Sequence, residues 1–454
     1  MARSRAAADM TVSATLLHNV RELARPLATP SDLDPLLQRV GDARVVMLGE
    51  ASHGTREFYK WRTAITQRLV EEKGFRFVGV EGDWLDCYRV NRYVKGYAGA
   101  APDASSALET FRRWPTWMWA NEEARELVEW MRARNEGRPE AERVGFYGLD
   151  VYGLWDSLRA LVKFLKERDA PASHAAQSAL RCFERFGENI QDYARATVLV
   201  PASCEKEAVD LLRRVREAGL APKADGDEGH EAPLAAELNA MVVRNAEAYY
   251  RTMVRSDAQS WNIRDGHMTD TLDKLLDHHG PSAKAIVWAH NTHIGDARYT
   301  DMAQSKKFNL GQLGREKYGE ENVVLVGFGT HRGEVIAGGA WDDPWQAMRV
   351  PEARDGSWED VVHRATDGAD ALIVMPKSKP AAGELCAWRG NRAIGVVFRP
   401  PSEHLGNYVP TVLAKRYDAL VFIDRTHALR PLFAPDAAKL TESDEETETY
   451  PTGV

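Results

Sequence analysis

The chain has 454 residues, enough for a large core and about two or three domain-sized units. Its 44% hydrophobic and 28% charged residues are ordinary globular composition, and a net charge of −8 with no dense Lys/Arg cluster argues against nucleic acid as a partner. No apolar run reaches the ~20 residues that span a bilayer, so no membrane role is expected.

The opening MARSRAAADMTV carries positive charge without the apolar stretch of a signal peptide. Residues 1–15 read as a disordered lead. Short apolar runs then alternate with helical patterns. Ala43–Leu48 ends at Gly49-Glu50, Arg76–Val80 at Glu81-Gly82-Asp83, and Val144–Leu149 at Asp150. Ala285–Ala289 precedes His290, and Val323–Phe328, Ala371–Met375, Ala393–Phe398 and Ala419–Ile423 follow. β-branched and aromatic runs without polar alternation are how strands buried on both faces read. Between them, Phe58, Trp61, Ile65 and Leu69 recur every three or four positions, as do Leu127, Val128 and Met131, which marks amphipathic helices.

Strand–helix alternation predicts an α/β fold: a mainly parallel sheet flanked by helices. The alternation lapses over residues 171–256, where helical stretches at Ala175–Ala194, Glu205–Ala218 and Leu234–Val254 surround a polar loop, Lys223–Glu231. This segment reads as a helical insertion, a lid or wall over the site. The α/β core is then discontinuous, 16–170 and 257–435, followed by an acidic disordered tail over 436–454. Cys87, Cys182, Cys204 and Cys386 show no zinc-knuckle spacing and read as reduced thiols, which with the missing signal peptide places the protein in the cytoplasm.

In an open parallel sheet, ligands bind beyond the carboxyl ends of the strands. The residues just past the strand runs are Glu50 and His53, then Glu81 and Asp83, then Asp150, then His290 and His293. If those strands are neighbours, four loops bring acids and imidazoles to one rim. Imidazole can take a proton from water near neutral pH, and a carboxylate from Glu50 or Glu81 can fix its tautomer. Gly49 and Gly54 let the backbone approach a ligand. Against this, Glu50 can simply cap the next helix with His53 in its first turn, and His290 and His293 can be satisfied core histidines. Arg62 and Arg264 near the rim read, by position alone, as ion-paired arginines; nearer a substrate they stabilise an oxyanion or clamp a carboxylate. A metal held by these imidazoles and carboxylates stays open, though HExxH is absent. No GxSxG elbow, P-loop or dinucleotide fingerprint is present. The run Trp114-Pro115-Thr116-Trp117-Met118-Trp119 reads as core or pocket wall.

Leu48–Phe58, Val80–Trp84, Trp117–Glu123, Phe146–Asp150, Arg264–Met268 and Trp288–His293, in this order, resemble the signatures of the erythromycin esterase family. The resemblance implies an α/β core with a helical insertion, and ester or lactone hydrolysis by activated water with no covalent enzyme intermediate. It implies His53 as general base, supported by Glu50, Glu81, Arg62 and His290; position at or near the rim places Asp83, Asp150, Arg264 and His293 around the substrate. The expected partner is a small-molecule ester or lactone, for some members a macrolide lactone. The favoured mechanism requires no cofactor, and metal dependence stays open. The rival expectations are a metal-dependent hydrolase of another substrate and a non-catalytic binding protein for an anionic metabolite or metal cofactor.

Overall fold

The computed structural model describes residues 11–187, 190–199, 203–220, 231–377 and 383–433. Among the described residues eleven strands form: β1 (Ala24–Pro26), β2 (Val45–Leu48), β3 (Phe77–Asp83), β4 (Gly145–Asp150), β5 (Ala285–Trp288), β6 (Val323–Ala337), β7 (Gln346–Val350), β8 (Ala371–Val374), β9 (Trp388–Arg392), β10 (Tyr408–Val412) and β11 (Ala419–Thr426). The main sheet runs β1-β8-β11-β6-β2-β5-β3-β4, with β7 attached to β6. From β11 to β4 every neighbour is parallel, and β1, β7 and β8 are antiparallel additions.

The apolar runs lack alternation because both faces of the sheet are covered. Val45, Met47, Phe77, Tyr147, Val287 and Leu325 point into one core, and Val46, Leu48, Val78, Phe146, Ile286 and Val326 into the other. Each fully buried Val or Leu contributes about 1.5–3 kcal/mol. The first core also takes in Leu158, Ala176, Leu211, Val242 and Tyr250 from the helices between β4 and β5. Among the described residues that segment contains helices and no strand, including Leu154–Leu165, Ala170–Glu184, Ile190–Leu199, Glu205–Glu217 and Ala232–Met253. The expected single helical stretch Ala175–Ala194 is therefore two helices.

Other expectations need correction. Ala393–Phe398 forms no strand of the sheet: Ile394 makes only a single bridge to Ser52 and Val397 one to Gly338, while the preceding Trp388–Arg392 pairs with β10 in a separate two-stranded sheet. Its apolar residues still pack, with Ile394 and Phe398 against Val335 and Val350; burial without pairing imitates a strand in sequence. The lead is shorter than expected, because a helix starts at Ala14 with the Ser13 side chain capping Leu16 N–H. Residues 1–10, the 436–454 tail and all of the Lys223–Glu231 loop before Glu231 lie outside the described residues.

Cys182 and Cys204 are joined in a disulfide, contrary to the reduced-thiol reading; Cys87 and Cys386 are free. The packing of Ala170–Glu184 beside Glu205–Glu217 brings their Cα atoms to 5.8 Å, within bonding range although they lie 22 positions apart in sequence. One support for a cytoplasmic location thereby falls away. Among the described residues, no helix is long and apolar enough to cross a membrane.

Candidate active site

β2, β5, β3 and β4 are consecutive in the sheet. Their pairing sets Leu48 opposite Trp288, and Trp288 opposite Val80. Glu50, His290 and Glu81 therefore emerge side by side from three parallel strands, and Asp150 ends the fourth. The condition on which the sequence reading depended, that these strands be neighbours, is met.

His53 Nδ1 lies 2.9 Å from Glu50 Oε1. The carboxylate can only accept, so Nδ1 carries the proton and Nε2 holds the lone pair a general base needs. Arg62 Nη2 donates to the other oxygen, Glu50 Oε2, at 2.7 Å. The Arg62 guanidinium lies over the rings of Tyr59 and Trp288, 4.3 and 4.5 Å from their centroids. It is fully buried and holds Glu50 through Nη2, while Nε and Nη1 make no hydrogen bond among the described residues. Nor does Glu50 cap a helix: the helix Arg56–Lys73 begins after Thr55.

The His290 ring lies 4.9 Å from that of His53, centroid to centroid. Its Nδ1 accepts the Thr292 backbone N–H at 3.3 Å and sits 2.8 Å from Thr292 Oγ1. Nε2 therefore carries the hydrogen; it is buried and makes no hydrogen bond of good geometry among the described residues, though the ring also meets the Ala51 backbone. Burial first, and then the neighbouring His53, push the His290 pKa well below the usual imidazole value. Of the two states expected for His290, a proton donor by charge or a neutral hydrogen-bond donor, the second fits.

Glu81 Oε2 accepts the His290 backbone N–H at 2.8 Å, and Oε1 accepts Arg264 Nη2 at 2.7 Å. Burial pushes the Glu81 carboxyl up, but His293, Arg264 and His53 outweigh it and hold the group far below the usual carboxylate range. Arg264 also grips Asp150 with two bonds, Nε to Oδ1 at 2.9 Å and Nη2 to Oδ2 at 2.6 Å. His293 is 1% exposed, with Nδ1 at 3.0 Å from Asp265 and Nε2 near Arg264 and Glu81.

Asp150, Arg264 and His293 thus form a layer bound to Glu81, with their polar atoms committed to protein partners rather than offered to substrate. Asp83 lies in register beside Asp150 on β4, and its carboxylate is paired with Arg113. Gly49 and Gly54 make room for protein instead of ligand. A Cβ at Gly49 would collide with the Asn291 side chain, and one at Gly54 with the Ile336 carbonyl. In the aromatic run, Trp117 and Trp119 are core, Trp119 Nε1 donating to the Glu81 carbonyl, while half-buried Trp114 packs against Trp341. Among the described residues, no three His, Cys, Asp or Glu side chains are arranged to hold a metal ion.

This chain matches the erythromycin esterase family over residues 70–426, more than half its length. The chain belongs to the erythromycin esterase family. The matched span takes in Glu81, Asp150, Arg264, His290 and His293 and begins after Glu50, His53 and Arg62. Erythromycin esterase type II of Escherichia coli is 24% identical over 329 residues, covering 70% of this chain and 76% of that protein. Erythromycin esterase type I of Escherichia coli is 24% identical over 340 residues, covering 69% and 77%. Among solved structures, a succinoglycan biosynthesis protein aligns with a TM-score of 0.72 at 20% identity, over 92% of this chain and 98% of that one. A mutant of the erythromycin esterase EreC in its open conformation aligns with a TM-score of 0.60 at 18% identity, over 91% and 96%. These likenesses confirm the α/β fold, and membership in the esterase family supports a hydrolase.

Sequence reasoning missed Asp265, Trp261, Tyr59 and Trp288 as members of this esterase-family site. Asp265 sits beside Arg264 in a motif already singled out, and Tyr59 and Trp288 flank Arg62. Helical spacing could have linked Tyr59 to Arg62, but nothing in the sequence links either to Trp288.

The buried imidazoles give the fold a pH dependence. Burial lowers the His290 pKa, that of His267 to about 4, and that of His279 to about 3. Unfolded, each binds a proton near pH 6.5; folded, each stays neutral. Acid therefore favours unfolding by about 1.4 kcal/mol per group for each pH unit below 6.5. His293 works in the opposite sense, because its pKa is raised: burial lowers it, but Asp265 and Glu81 more than compensate. With His331, lowered chiefly by burial, four lowered imidazoles against one raised predict that the urea midpoint falls steadily from pH 7 to pH 5. A flat midpoint over that window would contradict the assigned neutral states.

Proposed function

We propose that this chain hydrolyses a carboxylic ester or lactone, a macrolide lactone among the candidates, by means of water activated at His53. The observation that carries the reading is the His53–Glu50 pair, 2.9 Å apart, with the buried Nε2–H of His290 in the neighbouring ring.

His53 Nε2 takes a proton from water, and Glu50, held by Arg62, stabilises the imidazolium that forms. The hydroxide attacks the carbonyl carbon. The carbonyl oxygen takes up the negative charge and accepts a hydrogen bond from His290 Nε2–H. As the tetrahedral intermediate collapses, the carbon–oxygen ester bond breaks and His53 returns the proton to the leaving alkoxide. One water is consumed, and an acid and an alcohol are released. General-base catalysis contributes typically about 10²–10⁴-fold, and one oxyanion donor about 10²–10³-fold.

The test is a mass-spectrometric screen of macrolides, simpler lactones and linear esters in ¹⁸O-water. The expected product carries one heavy oxygen in its new carboxyl group, with chelator making no difference to the rate. A panel left intact, with a small molecule co-purifying with the protein, would replace the esterase reading with that of a binding protein.

A further inference from the structure

The fully buried Asp265 has no part in the reaction just described, yet both its carboxylate oxygens lie 3.0 Å from His293 Nδ1. Its Oδ1 also accepts the Leu310 backbone N–H at 2.8 Å, which ties it to the helix Leu310–Tyr318. The His293 ring is stacked on Trp261, 4.6 Å between centroids and 3° from parallel. With Nδ1–H bound to Asp265 and the ring clamped, only Nε2 can gain or lose a proton. It lies 3.4 Å from Glu81 Oε1 and 3.2 Å from Arg264 Nη1. Protonated, Nε2 donates toward Glu81; deprotonated, it accepts from Arg264.

We propose that Asp265 is a positioning residue of the site: it fixes His293 through Nδ1, presents Nε2 to Glu81, and so governs the charge that Glu81 faces. His293 is thereby a support of Glu81 and not a substrate contact. The charged and titratable groups around the pair are few. Arg264 and Asp265 come from the helix Asp257–His279, His53 from the loop after β2, His290 from the loop after β5, and Tyr59 from the helix Arg56–Lys73, with Asp150 reached through Arg264. The raised His293 pKa and the lowered Glu81 pKa agree in direction with this arrangement. The catalytic consequence rests on the esterase reading; the Asp265–His293 relation rests on geometry alone.

The experiment compares the full-length protein with Asp265→Asn, whose amide oxygen can still accept the Leu310 N–H, and Asp265→Glu, which keeps the carboxylate. Histidine-selective ¹⁵N NMR follows the His293 titration, and kcat/KM is measured against pH on an ester the wild type cleaves. In D265N the His293 pKa is expected to fall by about one pH unit or more, and the acid limb of kcat/KM to move toward neutral pH as Glu81 loses its positive neighbour. D265E should restore part of both shifts. An unchanged His293 titration, or a uniform loss of rate with no movement of the acid limb, overturns the proposal. Should D265N fail to fold, the wild-type titration decides: a His293 that is neutral down to pH 6 overturns it. If no ester is cleaved at all, the esterase reading fails while the NMR arm still judges Asp265.

Discussion

Alanine in place of His53 is expected to lower kcat for ester hydrolysis by about 10²–10⁴-fold with the fold unchanged. Among the described imidazoles of the site, His53 alone has an Nε2 lone pair that none of the described hydrogen bonds uses: His290 Nε2 carries a hydrogen, and His293 Nε2 is enclosed by Glu81 and Arg264. The loss should fall on kcat, because the proton moves only in the chemical step. Little stability should be lost, since Glu50 keeps its 2.7 Å bond from Arg62 after the imidazole is gone. The check is a steady-state assay beside circular dichroism and urea unfolding of the same preparation. Near-wild-type kcat in a folded H53A protein would end the general-base assignment.

A second large effect is expected at Arg264, on stability as well as rate. Its guanidinium is the shared cation of two buried carboxylates, Glu81 and Asp150, which are 4% and 3% exposed. Arg264→Met fills similar space and leaves both acids without it. Removing one partner of a buried ion pair costs about 3–5 kcal/mol, because the remaining charge is stranded in a low-dielectric setting. The urea midpoint should therefore fall far more than for H53A, and hydrolysis should fall with it as Glu81 loses its anchor. Adding Glu81→Gln to R264M should recover part of the stability and none of the activity. An R264M protein as stable as wild type would mean that the carboxylates find other partners and that Arg264 does not hold the layer together.

The contrast between these two residues shows what the sequence could convey. Strand ends were legible because β-branched runs stop at Glu50, Glu81, Asp150 and His290, and the rule that ligands sit past strand carboxyl ends does the rest. The strand order was not legible: β2 lies between β5 and β6, segments more than two hundred residues away, and that pairing depends on tertiary packing. Without it, Arg264 and His293 were indistinguishable from groups that touch substrate. Their polar atoms turn inward only because the helix Asp257–His279 runs back across the end of β4. The disulfide was hidden for the same reason, since 22 residues of separation say nothing about a 5.8 Å approach. Ala393–Phe398 failed in the opposite way, its apolar pattern being satisfied by packing alone.

The common direction of the six strands from β11 to β4 has a practical consequence for handling the enzyme. Every group named in the reaction lies at one end of the sheet, so the turns at the opposite end are free for attachment. Ser282, exposed in the turn that leads into β5, is separated from His290 by the whole of that four-residue strand, which alone spans about 13 Å. A tether or dye joined there anchors the molecule with its reactive end facing the solution, and leaves the chemistry undisturbed.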